Sequence, residues 1–88
     1  MTPYHRRKLA TSGVEYSRAE SDLLHRFGAA AYRLCFESRD EGQRIRVHIR
    51  DGQESFVRQH AGDAAVDRWL AARAEVDRLE ERTEGVTA

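Results

Sequence analysis

The heptapeptide Arg44-Ile45-Arg46-Val47-His48-Ile49-Arg50 alternates aliphatic with basic or ionisable residues without a slip. Successive side chains of a strand point to opposite faces, so one face is aliphatic and the other carries Arg44, Arg46, His48 and Arg50. Guanidinium forks grip phosphates, guanine edges and carboxylates bidentately, and the chemistry such a face offers is recognition of an anion. A second basic run, Arg6-Arg7-Lys8, follows His5 and is flanked by Tyr4 and Leu9. It could serve a phosphate backbone or an acidic protein equally well. A charged strand face is also what an ordinary solvated edge presents, because arginines there discourage aggregation.

Other chemistry is sparse. His5, His25, His48 and His60 never stand three or four residues from one another or from Cys35, so no helical metal pair exists. The single cysteine excludes an intrachain disulfide and a cysteine-rich zinc site. Each glycine sits alone, mostly where an element should end, and none builds a phosphate-cradling loop. One pair remains, Cys35 facing His48 in the hairpin register given below, where an imidazole could activate a thiol. Neither residue has an evident orienting group or oxyanion donor. The expectation is a non-enzymatic chain with no catalytic residues, no metal and no cofactor.

With 88 residues there is room for one domain with a thin core, which oligomerisation or a partner would complete. Lys plus Arg and Asp plus Glu are both 15, so no net charge draws the whole chain to nucleic acid or anionic lipid. Residues 1–50 nevertheless hold 10 basic against 6 acidic side chains, and residues 51–88 hold 5 against 9. This bipolar layout suggests two surfaces with different partners, or halves that pair within a dimer. The basic start is followed by no apolar run, so neither a signal peptide nor a membrane span is expected, and a cytoplasmic location follows. Arginine outnumbers lysine fourteen to one and asparagine is absent, a usage common in GC-rich bacterial or phage genes.

Several elements must position these residues. Residues 1–16, with Pro3 and Gly13, lack clear periodicity and read as a flexible basic arm. Ser17-Arg18-Ala19-Glu20 is a capping-box pattern, predicting a helix that starts at Ser17, carries Leu23, Leu24 and Phe27 on one stripe, and stops at Gly28. Residues 29–37 fit either a helix or a strand, and the strand is favoured because it finds a partner. With Glu41-Gly42 as a two-residue hairpin loop, Phe36 faces Val47 and Leu34 faces Ile49. On the other side Glu37 then faces Arg46, Cys35 faces His48 and Arg33 faces Arg50, so Arg33 joins the basic face. Asp51 should cap a short helix bearing Phe56 and Val57, and Asp63 a long final one. That last helix carries Ala65, Trp69, Ala72, Val76 and Leu79 at steps of four and three, broadened by Val66 and Leu70. Trp69 should fill the packed seam, although the same spacing suits a partner helix.

The expected fold is therefore α+β over residues 17–82, in the order helix, two-stranded antiparallel hairpin, short helix, long C-terminal helix, with residues 83–88 as a frayed tail. The alternative is a mostly α chain with one strand paired across a dimer. In that version residues 44 to about 82 resemble the ribbon-helix-helix repressors in element order, which would imply that Arg44, Arg46 and His48 read bases. The functional expectation is a small regulator, inhibitor or assembly factor that docks on another protein, as a homodimer or subunit of a complex. Its contact residues would be Arg33, Arg44, Arg46, His48, Arg50, Arg6, Arg7 and Lys8, or the exposed side of the last helix. The alternative function is nucleic-acid binding through the same hairpin and arm.

Overall fold

The computed structural model describes residues 2–42 and 44–87, with side chains as far as residue 81. Its elements run α1 (Pro3–His25), α2 (Ala29–Cys35), β1 (Phe36–Asp40), β2 (Ile45–Ile49), α3 (Glu54–Ala61) and α4 (Asp63–Thr87). The chain is thus α+β, with one antiparallel hairpin and a long last helix. Contacts His5 to Leu79, Tyr16 to Arg73 and Glu20 to Trp69 fix α1 and α4 as an antiparallel pair along the 42 Å axis of the molecule.

The first helix starts fourteen residues before the capping-box pattern. Thr2 is its N-cap, with Oγ1 accepting from the His5 amide at 3.1 Å, and Pro3 occupies the first turn, where its missing N–H costs nothing. The residues expected to form an arm are helical because the inward stripe begins early: His5, Leu9, Ser12, Tyr16, Ala19 and Leu23 are buried or half-buried at steps of four and three. Ser17 is an exposed residue in the middle of α1, while Glu20 accepts a hydrogen bond from Trp69 Nε1 at 3.2 Å. Met1 and Ala88, the ends of the expected arm and tail, and Gln43 of the hairpin loop lie outside the described residues. The α4 backbone is helical through Thr87.

Residues 29–37 resolve into both alternatives in sequence. The alanine-rich part forms α2, whose N-cap is Gly28, and the chain enters β1 at the next residue with no connecting segment. The Phe36 N–H still closes the helix on the Tyr32 carbonyl while its φ and ψ are already extended. Consequently the strand is Phe36–Asp40 rather than 29–37, and the expected register is corrected. Phe36 pairs with Ile49, Glu37 with His48, Ser38 with Val47, Arg39 with Arg46 and Asp40 with Ile45. The reversal lies one residue later than Glu41-Gly42, since the Glu41 N–H donates to the Arg44 carbonyl at 2.9 Å and Gly42 adopts φ 90. Moving the turn by one residue moves the register by two, which keeps Phe36, Glu37 and residues 45–49 on their expected faces, whereas Arg33, Leu34 and Cys35 lie in α2 and leave the ladder, with Leu34 exposed and Cys35 buried. Because the pairing lies within one chain, the lone-strand order of the ribbon-helix-helix repressors does not apply.

Asp51 is exposed in a turn closed by the Gln53 N–H on the Arg50 carbonyl, and Gln53, not Asp51, is the N-cap of α3. Gly62 separates α3 from α4 at φ 94 and ψ 144, a conformation that only glycine adopts without strain. Beneath the hairpin the core is aromatic. Phe36 and Trp69 are fully buried with rings 6.3 Å apart edge to face, and Phe27 meets Phe36 edge-on at 5.1 Å. Leu23, Val57, Val66, Ala72, Val76 and Leu79 complete the seam, as the stepping of the last helix predicts.

Candidate docking surface

Strand β2 lies edge-on to the α1–α4 pair. Arg73 of α4 donates to the Val47 carbonyl through Nη2 and to the Tyr16 hydroxyl through Nε at 3.1 Å, while its guanidinium stacks 4.2 Å from the centre of the Trp69 ring. One side chain thereby ties both long helices to the hairpin.

The basic strand face turns toward α4. Arg46 is 7 % exposed and donates to Asp77 Oδ1 at 2.5 Å, with its guanidinium 5.6 Å from the Tyr16 ring centre. Its Nε is buried without a hydrogen bond, 3.7 Å from Glu41 Oε1. The hydrogen bond to Asp77 raises the Arg46 pKa, and the same bond holds the Asp77 carboxyl below its ordinary 3.8. Arg44 pairs with Asp77 at 3.2 Å and Glu80 at 2.7 Å, closing a polar cleft that Glu41 and Glu81 also line. Arg50 sits 3.6 Å from Glu37 and donates to the Arg33 carbonyl at 2.9 Å. His48 Nδ1 faces Arg73 Nη1 at 3.4 Å, and since arginine can only donate, Nδ1 accepts and Nε2 carries the proton toward Glu41 Oε2 at 3.0 Å.

The expected face therefore exists, but the chain's own carboxylates engage it. Asp77 and Glu80 of α4 were legible only as part of a charged far side, and Tyr16 fell in the expected arm, so neither signalled this contact. The Cys35–His48 dyad is not formed. Cys35 is buried at the end of α2, its carbonyl opposite Arg50, while His48 lies opposite Glu37 with both ring nitrogens engaged elsewhere. Among the described residues no group of histidine, cysteine, aspartate and glutamate could hold a metal ion. Nor is any helix long and apolar enough to cross a membrane.

A different basic surface stands open. Tyr4, Arg7, Thr11, Val14, Arg18, Ser21 and His25 step by three and four along the outer side of α1, and all are exposed. Tyr4 is 67 % and Val14 51 % exposed, large values for such side chains. Arg6 and Lys8 flank this stripe, also exposed. No carboxylate among the described residues lies within ion-pair distance of Arg6, Arg7 or Lys8, and Arg18 acts on Glu15 only at longer range, whereas Arg26, Arg39, Arg44, Arg46, Arg50, Arg58, Arg68 and Arg78 each have a carboxylate within 4 Å. The first turn of α1 contains no acidic residue, so the cations cluster at the end of the helix where the macrodipole repels them. Of the other expected contact residues, Arg33 is exposed on α2, apart from this stripe in sequence.

No family model, curated protein or solved structure matches the chain.

Proposed function

We propose that the chain is a non-catalytic docking module that binds an acidic surface of another protein, in a regulatory, inhibitory or assembly role. The observation that carries this reading is the contrast in pairing: the hairpin arginines sit against the chain's own carboxylates, and Arg6, Arg7 and Lys8 at the start of α1 do not. A carboxylate-bearing partner laid along α1 would satisfy those cations and meet the helix dipole favourably. Tyr4 and Val14 supply aromatic and aliphatic contact within the same stripe, a mixture suited to protein hot spots. A polyanion such as DNA gains less here, because the chain has no net charge to attract it over distance.

The reading is tested by following backbone amide shifts while the protein is titrated with polyglutamate or with a DNA duplex of matched charge, against a variant with Arg6, Arg7, Lys8 and Arg18 all changed to alanine. Shifts at residues 4–18 with polyglutamate, lost in the variant, support it. Tighter binding to the duplex, also lost in the variant, would replace it by nucleic-acid binding. Binding to neither would end both readings.

A further inference from the structure

The hairpin has two outer edges, and the middle of the β2 edge is engaged by Arg73 of α4. Hydrogen bonds from the Arg50 N–H to the Cys35 carbonyl and from the Glu41 N–H to the Arg44 carbonyl fix which pairs exchange bonds within it. Bonded and non-bonded pairs alternate in an antiparallel ladder, so the backbone groups of Phe36, Ser38 and Asp40 point away from β2. By the same alternation those of Ile45, Val47 and Ile49 point away from β1, and there Arg73 of α4 takes the Val47 carbonyl. On the β1 edge only the Phe36 N–H is used, by Tyr32. Among the described residues nothing bonds the backbone of Ser38 or Asp40, and residues 38–40 are exposed. Such an edge is a template for another strand.

The sequence of β1, Phe36-Glu37-Ser38-Arg39-Asp40, selects the strand that fits. Laid antiparallel on itself with Ser38 on the axis, it places Glu37 opposite the partner's Arg39 and Arg39 opposite the partner's Glu37. Opposite charges facing each other across a ladder stabilise it, and like charges destabilise it. Ser38 then exchanges both its bonds with the partner's Ser38, at the exposed centre of the edge. Glu37 and Arg39 already pair within one chain at 2.6 Å, so the exchange regroups existing partners without stranding a charge. From this complementarity we infer that a second copy of the chain adds to the β1 edge about a two-fold axis through Ser38, joining two hairpins into one sheet. On the far edge Arg73 of α4 already occupies the Val47 carbonyl, which opposes a further hairpin adding there.

The test uses two charge reversals, Glu37→Arg and Arg39→Glu, each of which puts like charges opposite one another in its own homodimer. Sedimentation equilibrium should show the unaltered protein dimerising and each variant associating about tenfold more weakly or less. An equimolar mixture should recover wild-type affinity, because the two variants are complementary only across the interface; within each chain the pair stays broken. A mixture no tighter than either variant overturns the inference, as does a wild-type protein that remains monomeric up to about 1 mM. Amide exchange gives a readout free of mutations: the Ser38 N–H should slow as wild-type concentration rises, and a rate indifferent to concentration refutes the edge pairing. The interface does not involve the outer face of α1, so the quadruple alanine variant described above should dimerise normally whatever it does to polyglutamate.

Discussion

Asp77→Asn removes the carboxylate on which Arg46 depends and barely alters shape. The Arg46 side chain is 8 % exposed and that of Asp77 37 %, which places the pair between two regimes. An exposed pair contributes about 0.2 to 1 kcal/mol, whereas breaking a fully buried one costs about 3 to 5 kcal/mol because the remaining charge has nowhere to go. Here the charge left behind is the buried one, with its Nε already unpaired and Glu41 at 3.7 Å as the remaining carboxylate. A loss of about 2 to 3 kcal/mol follows from that intermediate placement. With a urea m-value of about 1 kcal/mol/M for so small a chain, the midpoint should fall by about 2 to 3 M at unchanged slope. Combining it with Arg46→Met in a double-mutant cycle should return a coupling of about 2 kcal/mol. The same cycle with Arg44→Met should return less than about 1 kcal/mol, since Arg44 is 41 % exposed and has Glu80 as a second partner. A loss below about 0.5 kcal/mol, or equal coupling to both arginines, would refute the argument that a buried guanidinium fastens the hairpin to α4.

Trp69→Ala should cost about 3 to 5 kcal/mol in thermal or urea unfolding, because the indole is fully buried between Phe36 and Arg73; a cost under about 1 kcal/mol would contradict that packing. Thr2→Ala should lose about 1 kcal/mol with the N-cap, while Ser17→Ala stays within about 0.5 kcal/mol, and the reverse ranking by circular-dichroism melts would move the helix start back to Ser17. Asp77 has a folded pKa depressed below 3.8, so its contribution is complete above that value and is lost as the pH falls through the folded one. Wild type and Asp77→Asn should thus differ fully at pH 7, and the gap should narrow as the pH falls below 3.8; a gap that stays constant into acid would mean that the carboxylate's charge is not what stabilises the hairpin.

The strongly periodic parts of the fold were legible. The last helix announced itself by its four-three stepping, and β2 by strict alternation, because in both a single buried face dictates the pattern. Strand β1 was not, since four of its five residues are polar and nothing but the need to pair with β2 makes it extended. The start of α1 was written in Thr2-Pro3 and in the stripe from His5, yet Ser17-x-x-Glu20 has the same local grammar, and only packing against α4 decides that Glu20 serves Trp69 instead of a cap. The basic face was visible as composition and alternation. Its neutralisation was not, because which carboxylates meet Arg44 and Arg46 depends on how the hairpin crosses two helices far away in sequence.

The direct passage from α2 into β1 limits how the chain can vary in length. A helix advances about 100° per residue and a strand flips face with every residue, so one residue inserted between Tyr32 and Phe36 would send the Phe36 ring to the side of Glu37 and His48 and empty its place beside Trp69. There is no loop at that point to absorb the change. A residue added at Gly42, by contrast, lengthens a turn that already projects into solvent. Insertions and deletions in this chain should therefore be tolerated at the tip of the hairpin and rejected at its root, with the phase of a single aromatic ring as the arbiter.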